Sequence, residues 1–259
     1  MSLTLEASLS AIGLFFGMLI LLEVGRRIGL ARHACDPEGV QKGVGAIEGA
    51  VFGLMGLLIA FTFSGAASRF DERRHLIAEE TNAIGTAYLR VGLLPADAQP
   101  EIRALFRRYL DSRLETYRNA GDAAATKAKL DQSAALQSEI WAKALSTCRR
   151  PDVPGHTPIL LLPALNQMID ITTTRVMATR THPPQVIFLL LGGLSLIGAL
   201  LAGYGMSAGK VRSLLHMMVF AAIMSLTIYV ILDLEYPRQG LIRVDSADQV
   251  LVELRKSMQ

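Results

Sequence analysis

Apolar and polar positions along this chain fall in long blocks, without the residue-by-residue alternation of a strand, so the pattern predicts helices throughout. Four apolar blocks are each long enough to cross a bilayer, which takes about 20 helical residues. They cover roughly residues 5–24, 44–66, 185–206 and 214–234. The expected fold is an all-α integral membrane protein. Four transmembrane helices form two hairpins, with a helical extramembrane insert between them. The corresponding domains are residues 1–66, 67–184 and 185–235, with an amphipathic C-terminal tail over 236–259.

The second block carries the strongest internal pattern. Gly45, Gly49 and Gly53 recur every fourth residue, and Gly56 follows. At that step glycines share one helix face and form a groove that another backbone can enter, so all three are expected to be helix-packing positions. No proline or turn signal separates this block from the charged run SRFDERRHLIAEETNAIGTAYLR. One helix is therefore expected to leave the membrane and continue into water. At 1.5 Å per residue, roughly 45 residues would reach about 70 Å.

Within the insert, Phe70, Ile77, Ile84 and Val91 recur every seven residues, a helical stripe that ends near Leu94-Pro95. A second helix begins near Pro100, with Ile102, Leu105, Phe106, Tyr109, Leu110, Leu114 and Tyr117 on one side. Asn119, Gly121 and Asp122 break it. A third helix is expected over 123–145, carrying Leu130, Ile140 and Trp141, and a fourth over 159–179, before Pro183-Pro184. Near the C-terminus, Ser246 and Gln249 have capping-box spacing, which predicts a short amphipathic helix at the membrane or against the insert.

Composition supports the membrane reading: 51% of residues are apolar and 19% charged, below the usual ~25%. The net charge of +3 and the lack of aromatic residues interleaved with a basic patch argue against a nucleic-acid partner. Cys35 and Cys148 lie far apart without CxxC spacing, so no disulfide framework or zinc site is expected. The opening MSLTLEASLS has no Lys or Arg, so the first block is read as a retained anchor and not a removable signal.

Basic residues give the orientation. Arg26, Arg27, Arg32, Lys42, Lys210 and Arg212 occupy the short loops and would place the insert outside the cytoplasm. Arginines beside the insert and in the tail pull the other way, and the count tips only slightly toward the outside placement.

Candidate chemistry is sparse. Glu48, Met55, Thr62 and Arg69 are spaced by seven on the second helix, and Arg73 lies one turn beyond Arg69. A carboxylate in lipid needs a partner, a cavity or the interface, so Glu48 is either an ion-path residue or a snorkelling one. Copied around an oligomer, Arg69 and Arg73 would form rings that attract anions; a salt-bridged collar is the other reading. These five residues are the pore-lining or gating candidates. Asp233 and Glu235 close the fourth span and are expected to pair with Arg26, Arg27 or an insert arginine. His75 and Glu79 are four apart but lack a third ligand, so no metal is expected. HExxH, P-loop and GxSxG motifs are missing; neither an enzyme nor a cofactor is expected.

The run AFTFSGAASRFDERRHLIAEETNAIGTAYLR, followed after the last span by DLEYPRQGLIRV, resembles the bacterial bestrophin-like domain family, whose function is undefined. Glu80, Asn82, Ala83, Ile84, Gly85 and Thr86 carry the resemblance, with Asp233, Pro237 and Gly240 in the closing segment. It implies likeness to bestrophins, pentameric anion channels whose second helix lines the pore. The bestrophin calcium clasp has no match here. The implied protein is a homo-oligomeric channel of the bacterial inner membrane, with the lipid bilayer and inorganic ions as partners and anions favoured. A non-conducting scaffold or sensor, using the insert to bind a partner, is the alternative.

Overall fold

The computed structural model describes residues 3–33, 44–118, 122–208, 213–238 and 240–258. Among these residues every regular element is a helix. They are α1 (Leu3–His33), α2 (Val44–Arg90), α3 (Gln99–Arg118), α4 (Ala123–Cys148), α5 (His156–Arg180), α6 (Gln185–Gly205), α7 (Leu214–Glu235) and α8 (Gln249–Ser257). Four helices are long and apolar enough to cross a membrane. The continuity expected across the charged run holds, and α2 is one helix of 47 residues. Cys35, Lys42, Lys210, Arg212 and the break at Asn119–Gly121 lie outside the described residues.

The chain divides into two compact units. The first comprises Met1–Ser68 and His182–Tyr236. Within it α1 packs along α6 and α7. The backbones touch at glycines: a Cβ on Gly25 would sit 2.0 Å from the Leu200 carbonyl oxygen, and one on Gly203 2.0 Å from that of Leu22. Contacts this short require a residue without a side chain. The core fills with flexible side chains, Met18, Met55, Met217 and Met224 beside Leu22, Ala199 and Ala221. Outward-facing positions on α1, α6 and α7 are large and apolar, among them Phe16, Ile20, Leu189 and Leu215. Such faces suit lipid contact.

The second unit comprises Arg69–Thr181 and Pro237–Gln259. Its core takes Ile77, Ile84 and Val91 from the seven-residue stripe. Ile102, Leu105, Phe106, Tyr109 and Leu110 of α3 join them, with Ile140 of α4, Leu161 and Leu165 of α5, and Leu251 and Met258 of the tail. α2 stops in a 3-10 turn at Val91–Leu93, just before Pro95. α4 starts at Asp122, whose carboxylate accepts from the backbone N–H of Ala124 and Ala125 at 2.9 and 3.0 Å.

The tail differs from its sequence expectation in one respect. α8 is capped at Asp248 and not at Ser246, and no side-chain cap bond forms there. The reason is competition: the Asp248 carboxylate is taken by Arg238, at 2.7 and 3.1 Å. α8 lies against α3 within the second unit, so the tail folds with the insert.

Candidate functional site

Two features of α2 frame the site. At 100° per residue, Met55, Thr62, Arg69, Arg73 and Glu80 share one face, and Gly53, Ala60, Ser64, Asp71, His75 and Asn82 share the opposite one. The first face turns inward. Met55 is buried, its Sδ 3.6 Å from a Cβ placed on Gly198. Thr62 is buried and its hydroxyl donates to the Leu58 carbonyl of its own helix. Arg69 is half-buried. Arg73 is buried, and its guanidinium donates to the Ala178 and Thr181 carbonyls at 3.2 and 3.1 Å, capping the C-terminal end of α5. Glu48, one turn into the helix, is half-buried beside Gly205, with Oε1 lacking a hydrogen-bond partner among the described residues.

The second face is open. Cβ atoms placed on Gly45, Gly49, Gly53 or Gly56 meet no atom within 4 Å. All four glycines are exposed, as are Ala60, Ser64 and Ser68. Within one chain the Met55–Arg73 stripe packs against the chain's own helices, whereas the glycine row meets no atom of the described residues. Beyond the membrane segment the open face continues as Asp71, His75, Glu79 and Asn82. His75 Nε2 and Glu79 Oε1 lie 3.1 Å apart, both exposed.

Asp233 and Glu235, the ion-pair candidates at the end of the fourth span, are buried. Arg26 and Arg27 both pair with Glu23, one turn back on α1, at 3.1 and 2.9 Å. Glu235 Oε2 lies 3.4 Å from His182 Nδ1, and that imidazole stacks on Tyr236 at 4.7 Å.

The second unit holds a buried charge cluster. Glu80 sits between Ile77 and Ile84 on the inward face and is fully buried. Its Oε1 accepts from Arg113 Nε at 2.6 Å. Its Oε2 accepts from Tyr117 Oη at 2.9 Å and from an Arg175 guanidinium N–H. Arg175 Nη2 lies 3.8 Å from Asp248, which Arg238 grips with two hydrogen bonds. Three guanidiniums surround one phenol ring: those of Arg175, Arg238 and Arg113 lie 3.9, 4.7 and 5.0 Å from the Tyr117 centroid. Burial alone would raise the Glu80 carboxyl, but the charges and hydrogen bonds of Arg113 and Arg175 prevail and hold it below the usual carboxylate range. Burial first, then the Glu80 charge, push the Tyr117 phenol well up, so it stays protonated and donates. The cluster therefore ties α2, α3 and α5 to the tail through ionised groups.

A model of the Bestrophin-like domain matches residues 9–249, from α1 to the first residue of α8. The chain belongs to the Bestrophin-like family. Its fold is similar to crystal structures of point variants of a bacterial Bestrophin homolog from Klebsiella pneumoniae. Two of them have TM-scores of 0.66 and 0.64, at 16% and 14% identity, covering 94% and 92% of this chain and 98% of theirs. None of the curated proteins compared matches it.

Family membership and geometry meet at Glu80. Of the residues that carried the resemblance, this Bestrophin-like chain buries Glu80, Ala83, Ile84, Asp233, Pro237 and Gly240, and leaves Asn82 and Thr86 exposed. Gly85 faces the tail: a Cβ there would make an ordinary contact, 3.4 Å, with Leu254 of α8. Tyr117 was placed on an apolar helix face, but neither it nor Arg113, Arg175, Arg238 or Asp248 was read from sequence as part of a charge cluster. A signal was present, since Glu80 interrupts the apolar stripe and Arg113 falls among Phe106, Tyr109 and Leu110. A carboxylate on one apolar stripe needs a cation on another.

Proposed function

We propose that this Bestrophin-like chain is the subunit of an oligomeric membrane ion channel, with the open face of α2 lining the permeation path. One observation carries the reading. The exposed faces of α1, α6 and α7 present large side chains suited to lipid, whereas α2 carries an exposed row of small residues, Gly45, Gly49, Gly53, Gly56, Ala60 and Ser64, flanked by Leu57, Phe61 and Phe63. A helix face of small residues and hydroxyls gains little from lipid. It suits close approach to other copies of itself around a narrow path.

The charge preference follows from what this face carries. Arg73, on which an anion preference leaned, is buried against α5. The first charged residue on the centre line of the open face is Asp71, with Arg74 3.5 Å away and Glu79 further on. Repeated around an axis, Asp71 forms a carboxylate ring, so the path favours cations over anions. The test is a reversal-potential measurement on purified protein in bilayers under a potassium chloride gradient. A potential toward that of potassium, moved toward zero by Asp71→Asn, is expected. Absence of conductance for any ion, across pH and voltage, would leave the scaffold reading in its place.

A further inference from the structure

We propose that the extramembrane domain has a site for a small monovalent anion of halide size at Nη1 of Arg113, apart from any permeation path. The donors of this guanidinium are nearly all spoken for. Nε donates to Glu80 Oε1, and Nη2 to the Tyr117 hydroxyl. Nη1 is buried and has no hydrogen-bond partner among the described residues. The Arg113 side chain is 0% exposed, so bulk water does not serve it.

Neighbouring acceptors are already engaged. Glu80 Oε1 takes Arg113 Nε, and Oε2 takes Tyr117 and Arg175. Tyr109, Thr172 and Gln137 form their own ring of bonds between 2.9 and 3.1 Å. Ser112 bonds Ser133 at 2.9 Å and the Lys129 carbonyl at 3.2 Å. A buried charged donor left without an acceptor is costly.

Charge balance points the same way. Arg113, Arg175 and Arg238 face only Glu80 and Asp248 inside the cluster. At its rim Asp245 lies 3.8 Å from Arg238, but it is exposed and shared with Arg243 at 3.4 Å. Enclosed guanidiniums therefore outnumber enclosed carboxylates by three to two, leaving an excess positive charge that, among the described residues, only the exposed Asp245 meets. Water would satisfy the N–H and leave that charge standing. A monovalent anion satisfies both, a divalent oxyanion would overshoot, and the full enclosure of Arg113 selects for small size.

The test uses full-length protein in lipid nanodiscs. Thermal unfolding is followed as chloride replaces gluconate at constant ionic strength, with bromide as the second probe. A saturable rise in Tm with either halide is expected, together with a bromine anomalous peak beside Arg113 Nη1 in crystals. Arg238→Gln removes the surplus charge and should raise the half-saturating halide concentration roughly tenfold. Should this variant fail to fold, Arg113→Lys is used instead, and it should abolish the anomalous peak. A Tm no different in halide and gluconate overturns the site. So does density at Nη1 without bromine signal, which is water, or a wild-type halide response in the variant. Halide held only elsewhere, as at an axis, also overturns it and leaves the channel proposal untouched.

Discussion

Arg113 Nε donates to Glu80 Oε1 over 2.6 Å, and neither side chain is exposed to solvent. Their ion pair is sealed inside the second unit, and Arg175 completes it from α5. Removing one member of such a pair strands the others in a dry interior. Glu80→Ala is therefore expected to cost about 3–5 kcal/mol of that unit's stability. The half-exposed Arg255–Asp111 pair, bidentate at 2.8 and 3.0 Å, provides the comparison. Arg255→Ala should cost less than about 1 kcal/mol. Denaturant unfolding of the two variants measures the difference, and equal losses would refute the central role given to Glu80.

The same carboxylate sets an acid limit. Its folded value is held below the ordinary carboxylate value by Arg113 and Arg175, against burial. The unfolded value is about 4.3. A group depressed on folding contributes its full stabilisation above the unfolded value, and loses it as pH falls through the folded one. The Tm of the wild type should thus drop below about pH 4.3 more steeply than that of Glu80→Gln, which cannot titrate. Parallel slopes for the two proteins would remove Glu80 as the source.

The glycines divide into two kinds, and substitution separates them. Gly25→Ala places a methyl carbon 2.0 Å from the Leu200 carbonyl oxygen, and Gly203→Ala does the same against Leu22. Both changes force α1 and α6 apart and should lower the yield of monodisperse protein. Gly49→Ala and Gly53→Ala meet nothing within 4 Å in the chain. They should leave the fold intact and alter conductance in bilayers, because their face belongs to the proposed path. Normal currents from both variants would move the path to another helix.

Much of this was legible from sequence, for reasons that can be named. Apolar block length fixed the four membrane helices, and the Phe70–Val91 stripe fixed the insert's inward face. Direction was harder. Glycines every fourth residue and a seven-residue stripe both mark helix faces, but periodicity does not say which face meets the rest of the chain. Met55 against Gly198 decides it, and that contact joins residues 143 positions apart. The charge cluster was hidden for the same reason. Glu80 and Arg175 lie 95 residues apart, and their pairing exists only once α2 and α5 pack.

The tail offers a final test, since its sequence suited either the membrane surface or the insert. In the structure Leu251 and Met258 are fully buried in the second unit's core. Arg107 and the Tyr88 hydroxyl donate to the Met258 carbonyl at 3.1 and 3.5 Å. Asp248 takes up Arg238 and lies near Arg175. Deleting residues 246–259 would remove these apolar side chains and strand Arg175 and Arg238 beside a single buried carboxylate. Burying a Leu or Met side chain is worth about 1.5–3 kcal/mol, so two such losses plus the broken charge pairing, about 3–5 kcal/mol, are comparable with the roughly 5–15 kcal/mol by which native proteins are stable. The truncated protein should keep its membrane helices while its insert becomes rapidly cleaved by protease, read as loss of the fragment spanning α3–α5. The milder Leu251→Asp should act in the same direction, with the tail still present. An insert that resists protease equally in all three proteins would mean that the tail contributes nothing to its stability.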